Sequence, residues 1–254
     1  MKHSPYRFTI LSVIVMVLTM IPCLFTLTSC GKSPWPMGAG QGNLGDMDLT
    51  NIPSDLREQL ERCPELADFV AAYPEEHDKE HNPDVSGDYT PGEIPLFLQW
   101  DTRWGYEWYG DNMMALTGCG PTCLSRAAVG LTGNTSWNPL AVANFADENG
   151  YYCNGSGSYW TLISEGASAL GLSAVELPLD ENVIRNQLEL GNPIICAVGP
   201  GDFTTQGHFL ILTKSNDDGT VMLHDPNSRK NSQTSWNLQQ VMHQMQNLWA
   251  ISAR

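Results

Sequence analysis

Gly118-Cys119-Gly120-Pro121-Thr122 constrains this chain more than any other stretch. The glycines permit a sharp turn and a close backbone approach to a ligand. Pro121 suits the first position of a helix, where a missing N–H costs nothing. Thr122 to Leu131 is apolar enough for a buried helix. Cys119 therefore falls at the positive end of a helix dipole, an environment that lowers a thiol pKa from about 8.5 to about 3.5–7.5. The same pentapeptide equally suits a buried structural cysteine, so the rest of the chain must decide.

A thiolate nucleophile needs a base and a group that orients the base. Of the six histidines, His3 lies in the N-terminal apolar segment, His77 and His81 in an acidic loop, and His243 in a late helix. His208 opens an apolar strand in Gly207-His208-Phe209, and Asp225 closes the partner strand in Asp225-Pro226-Asn227-Ser228. Asn216-Asp217-Asp218-Gly219 between them is a hairpin signal. A turn centred between Asn216 and Asp217 sets His208 opposite Asp225, Leu210 opposite Leu223 and Leu212 opposite Val221, with facing Cβ atoms roughly 4.5–5.5 Å apart. An Asp at that distance can hold the imidazole tautomer and stabilise imidazolium. His224 points to the other face in that hairpin. Gln99, read as a strand end, could set its amide beside the Cys119 N–H as an oxyanion donor. Losing such a donor typically raises a barrier by about 2.7–4 kcal/mol.

Lys2, His3 and Arg7, the apolar run Ile10–Leu27 and Leu27-Thr28-Ser29-Cys30 form an export-signal pattern. The ending resembles the bacterial lipoprotein signal, which implies cleavage before Cys30 and a lipid on its thiol. The expected organisation is a signal over 1–29, a glycine-rich flexible tether over 30–52, a helical extension and acidic loop over 53–91, and a catalytic domain over 92–254. Without 1–29 the chain carries eleven Lys and Arg against 28 Asp and Glu, a formal net charge of −17. Such a surface disfavours nucleic acid and anionic lipid. Cys63, Cys119, Cys123, Cys153 and Cys196 are too irregularly spaced for a disulfide framework, and no CxxC pair suggests a zinc ribbon.

In the extension, Ser54 is placed to cap a helix carrying Leu56, Leu60, Cys63, Leu66, Phe69 and Val70 at helical spacing, with a break at Pro64 and a loop from Pro74 to Gly92. Ile94–Gln99 reads as a strand. Trp104, Tyr106, Trp108 and Tyr109 then form either a core wall or a cleft lining. Helices are expected over Pro139–Asn149, Tyr159–Leu170 and, capped by Asp180, up to Leu190. Strands are expected at Leu172–Leu177, Pro193–Val198, Gly207–Thr213, Thr220–Asp225 and Leu248–Ser252, with a last helix over Trp236–Gln246 capped by Ser235. Helices first and strands later predict an α+β fold with a mostly antiparallel sheet.

Gln99-Trp100-Asp101, Arg103-Trp104, Tyr109-Gly110, Gly118-Cys119-Gly120-Pro121-Thr122, Gly207-His208-Phe209 and Asp225-Pro226 occur in that order. From about Gly92 onward the set resembles the bacteriocin-processing-endopeptidase-like (peptidase C-39-like) branch of papain-like cysteine peptidases. The resemblance implies a papain-like fold with the cysteine helix packed on an antiparallel sheet. It implies Cys119 as nucleophile, His208 as base, Asp225 as orienter and Gln99 in the oxyanion hole. Trp100, Gly118 and Gly207 are then expected to bind substrate. No later apolar run of spanning length and no P-loop accompany the motifs, which sets the chain apart from transporter members of that family.

These readings converge on a membrane-anchored, extracytoplasmic cysteine peptidase acting on peptide or protein substrates, monomeric, and needing no metal or cofactor. The alternatives are a non-catalytic peptide- or cell-wall-binding module on the same fold, or a cell-wall peptide hydrolase.

Overall fold

A computed structural model describes residues 47–254. The signal segment, Cys30 and most of the tether lie outside the described residues. Among the described residues, five helices of nine residues or more are α1 (Ser54–Arg62), α2 (Ala67–Glu76), α3 (Cys119–Thr132), α4 (Pro139–Glu148) and α5 (Glu181–Glu189). One sheet holds six strands: β1 (Leu172–Glu176), β2 (Ile194–Val198), β3 (His208–Ser215), β4 (Thr220–His224), β5 (Ser235–Asn237) and β6 (Met245–Ala253). Its order is β1-β6-β2-β3-β4-β5, and every pairing is antiparallel.

Alternation along the strands sends side chains to two different cores. Ile195, Ala197, Phe209, Ile211, Trp249 and Ile251 pack with Cys123, Leu124, Ala127, Ala128 and Val129 of α3. Cys196, Val198, Leu210, Leu212, Val221 and Leu223 pack with Ile184 and Leu188 of α5 and with Leu238 and Val241. A strand covered on both faces should read as a continuous apolar run, and β2 is buried at all its positions. The fold is thus α+β, with the Cys119 helix laid on a wholly antiparallel sheet.

Two of these helices start on a side-chain cap. Asn138 accepts from Ala141 N at the start of α4, and Asp180 accepts from Asn182 N and Val183 N at the start of α5. Several expectations need correction. α1 begins without a side-chain cap, so Ser54 does not play that part. α2 runs through Pro74 to Glu76. Ile94–Gln99 joins no strand. The segment is extended, and Gln99 N–H donates to Pro226 O at 2.8 Å. The helix expected over Tyr159–Leu170 splits into Thr161–Ser164 and a 3-10 segment, Gly166–Leu170. Ser235-Trp236-Asn237 is an edge strand paired with β4, because Val221 and Trp236 pair across the ladder; Asn237, not Ser235, caps the short helix that follows.

The β3–β4 register also differs from the expected one. Leu212 faces Leu223 and Ile211 faces His224, and the register slips again at Thr213. The loop runs from Asn216 to Thr220, closed by Asn216 N–H to Thr220 O at 2.9 Å with Gly219 at φ 88°. Beside this longer loop the pairing is displaced by three residues, and the slip at Thr213 leaves a displacement of two from Leu212 onward. A slip of two preserves the side of the pleat, where a slip of one would reverse it.

The extension is folded onto the rest. Ile52, Leu56, Leu60, Leu66, Phe69 and Val70 share a core with Leu98, Trp100, Tyr106, Met113 and Ala115. Tyr106 stacks on Phe69 with ring centres 4.1 Å apart and donates its hydroxyl to Phe69 O at 2.7 Å. Trp104, Tyr106 and Tyr109 are therefore core residues, and only Trp108 is exposed. No described helix is long and apolar enough to cross a membrane.

Candidate active site

α3 starts at Cys119, two residues earlier than Pro121 alone suggests. Pro121 still falls in the first turn, whose N–H groups lie outside the helix's own ladder. Neither Gly118 nor Gly120 has positive φ. Their requirement is space. A Cβ on Gly118 would lie 2.5 Å from Met114 O, and one on Gly120 would lie 2.5 Å from Ser158 Oγ. The close approach expected toward a ligand is thus an approach to the protein's own neighbours. Gly118 is buried and has no room to serve as a substrate contact.

The Cys119 thiol is partly buried and lies near the His208 ring and the N–H groups of Phe209 and Gly120. Burial disfavours a thiolate there. His208 and those two N–H groups outweigh it and lower the Cys119 pKa from its ordinary value. Burial likewise opposes charge on His208, but Asp225 and the Cys119 sulfur raise its pKa. Both shifts run in the direction that favours a thiolate beside an imidazolium. His208 Nε2 is 2.8 Å from Asp225 Oδ1, which leaves Nδ1 for the thiol. Asp225 lies one residue past the end of β4 and bridges to Ser228, so it meets His208 from the start of a loop, outside the β3–β4 ladder.

Asp225 is 1% exposed. Its Oδ1 also accepts from Asn227 N at 2.8 Å, and its Oδ2 accepts from Asn231 Nδ2 at 2.8 Å. Its main-chain N–H donates to Ser232 Oγ at 2.9 Å. Burial raises its pKa, but His208, Asn231 and Asn227 together hold it below the ordinary carboxylate value. His224 is no competing base. Burial, with Arg126 beside it, pushes its pKa down to about 3, and it is neutral at physiological pH.

Gln99 is buried and lines a cleft of about 300 Å³ together with Leu116, Gly207, His208, Asn227 and residues 201–206; Gln59 and Arg62 of α1 close it. Gln99 Nε2 donates to Ala115 O at 2.7 Å, a bond that uses one of its two hydrogens, and its Oε1 has no partner among the described residues. Gly207 is exposed in the cleft wall. Trp100 is placed differently. It is 8% exposed, packs in the extension core and donates its indole N–H to Asn227 O at 3.0 Å, so its ring supports the site from behind instead of lining the cleft.

Arg126 was not singled out by its sequence. It is fully buried on α3, one turn beyond Thr122. It donates to His224 O at 2.8 Å, to Phe97 O, and to Asp225 O at 3.5 Å. Burial lowers its pKa to about 10, and Cys123 and Asp225 oppose that shift. One guanidinium thereby ties the Cys119 helix to the segments that carry Gln99 and Asp225. Its signal was a lone cation inside an otherwise apolar helix. Asn231 and Ser232 carry no comparable signal. Among the described residues no group of three or more His, Cys, Asp or Glu is arranged to hold a metal.

A cysteine at a helix start, a histidine on a facing antiparallel strand and a carboxylate behind it define the papain-like class of cysteine peptidase fold. Residues 92–254 match the model of the Peptidase_C39 like family, and the chain belongs to that family. Among solved structures, it is similar to the peptidase domain of Streptococcus ComA, a bi-functional ABC transporter involved in a quorum sensing pathway. That match has 17% identity and a TM-score of 0.47 and covers 64% of this chain and all of that one. It is also similar to a putative C39-like peptidase from Bacillus anthracis, with 14% identity, a TM-score of 0.43, and 64% and 96% of the two chains covered. No curated protein matches the chain.

Proposed function

We propose that this protein is an extracytoplasmic, membrane-anchored cysteine peptidase that hydrolyses peptide or amide bonds with Cys119, His208 and Asp225. One observation carries the reading: the Cys119 thiol lies beside the His208 ring, whose Nε2 is 2.8 Å from Asp225 Oδ1, and His208 and Gln99 line an open cleft. The Cys119 thiolate attacks the substrate carbonyl carbon, forming the C–S bond and a tetrahedral oxyanion. The free N–H of Gln99, with a main-chain N–H of the first turn of α3, holds that oxygen. His208 imidazolium gives its proton to the leaving nitrogen as the C–N bond breaks. The neutral ring then takes a proton from water, which attacks the thioester and releases the thiolate. Asp225 keeps the ring in register throughout. The anchor in this reading is a lipid on Cys30, and metabolic labelling with a fatty acid should be lost in Cys30→Ser.

The test of the triad is the pH dependence of Cys119 alkylation by iodoacetamide, read by mass spectrometry, in the unaltered protein and in His208→Ala. Rapid labelling below the ordinary thiol pKa, lost in the variant, supports the reading. Slow labelling with an ordinary thiol pKa in both would assign the fold to a non-catalytic binding role.

A further inference from the structure

Residues 53–91 precede the stretch matched by the family model, yet they reach the loop that follows the orienting carboxylate. Asp225 opens a tight loop, 225–232, whose shape rests on Ser228. Ser228 Oγ accepts from Asn231 N at 3.0 Å, and Asn231 is the residue that binds Asp225 Oδ2. Ser232 Oγ donates to Ser228 O at 2.7 Å and accepts the Asp225 N–H. The start of this loop's helical turn is held by a carboxylate from outside the loop. Glu65 accepts from Ser228 Oγ, from Arg229 N at 2.9 Å and from Lys230 N at 3.2 Å. Two residues away, the Cys63 thiol donates to Asn227 O at 3.3 Å, on the other side of the loop. The extension therefore grips the Asp225 loop at two points, Cys63 at the end of α1 and Glu65 in the 3-10 segment Pro64–Leu66, and α1 itself carries Gln59 and Arg62 into the cleft wall.

We infer that Glu65 is a positioning residue for the Asp225–His208 pair, so that the extension is part of the catalytic unit. This inference rests on the triad reading above. Glu65 satisfies N–H groups at the start of a turn that has no helical partners for them. With Glu65 in place, Ser228 is oriented, Asn231 is held toward Asp225 Oδ2, and Oδ1 is left for His208. Without it the turn loosens, Asp225 loses its second fixed oxygen, and His208 is less firmly held as imidazolium. Cys119 then requires a higher pH to ionise.

The experiment measures the pH midpoint of Cys119 alkylation in the full chain for wild type, Glu65→Ala, Glu65→Asp and Glu61→Gln. The last changes an exposed acidic residue one turn earlier, on α1. Glu65→Ala is expected to raise the midpoint by about one pH unit, making labelling below the midpoint about tenfold slower. Glu65→Asp restores part of the shift, and Glu61→Gln leaves it unchanged. Glu65→Gln, which keeps the side chain's size and one acceptor oxygen, gives an intermediate shift and serves if the alanine variant folds poorly. A wild-type midpoint in all Glu65 variants, with labelling still dependent on His208, would overturn the inference and leave the triad standing. Labelling of the wild type that does not depend on His208 would remove the triad reading, and this inference with it.

Discussion

Arg126 brings a charge into a helix that is otherwise apolar, and its partners are main-chain carbonyls. Replacing it with methionine strands the carbonyls of Phe97 and His224, at about 1–3 kcal/mol for each unsatisfied group. Arg126→Met should therefore lower the urea midpoint. The same variant removes a cation beside His224. Burial is the larger cause of that histidine's low pKa, so NMR titration should show it rise from about 3 while remaining below the ordinary value. Asp225→Asn keeps the size of the side chain and removes its charge. It should raise the Cys119 alkylation midpoint by about one to three units, the effect of losing a close counter-charge. At this scale the sequence exposes residue types whose chemistry has few uses, such as a cysteine between glycines or a histidine opening an apolar strand. It hides Asn231, Ser232 and Glu65, because hydrogen bonding by ordinary polar residues is created only when the chain folds.

Gly120 shows how an element sets a residue. α3 approaches the short hairpin that carries Ser158 so closely that no side chain fits between them. Gly120→Ala should slow Cys119 alkylation by displacing the start of α3. Ser158→Gly, which removes the obstructing atoms, should restore part of the rate in the double variant, a non-additive result expected of groups in contact. Helix periodicity and Asx caps made α4 and α5 legible with nearly correct ends, as did the apolar run of β2. The exceptions have physical causes. Ile94–Gln99 has the composition of a strand but no neighbouring strand to pair with, and hydrogen-bonds instead to the segment after Asp225. Ser235–Asn237 has helical signals, but an available sheet edge captures it. The β3–β4 register depended on a loop length that Asn, Asp and Gly composition does not fix.

For the molecule as a unit, pH acts through the buried pair in two directions. Asp225 has a depressed folded pKa, so its contribution to stability is present above the ordinary carboxylate range and is lost as pH falls through the folded value. His208 has a raised folded pKa, so its contribution is complete below about 6.5 and is lost as pH rises toward about 10. The alkaline loss in urea midpoint should be absent from His208→Gln, which a denaturation series between neutral and alkaline pH would check. Leu56 is fully buried in the core shared by the extension and residues 98–115. Leu56→Ala should destabilise that core by about 2–5 kcal/mol, seen as faster proteolysis within 53–76. The amphipathic spacing of the extension was legible in sequence, but its docking site was not, since nothing in a helical pattern names its partner.

The grip of Glu65 on Arg229 joins positions 164 residues apart. Closing so long a loop carries a large entropic penalty, and such contacts form only after more local ones have drawn the chain together. During synthesis α1, the Cys119 helix and even His208 leave the ribosome before the turn at 228–232 exists. On the triad reading proposed above, Cys119 is consequently made early and its base is oriented late, so reactivity is a property of the finished polypeptide.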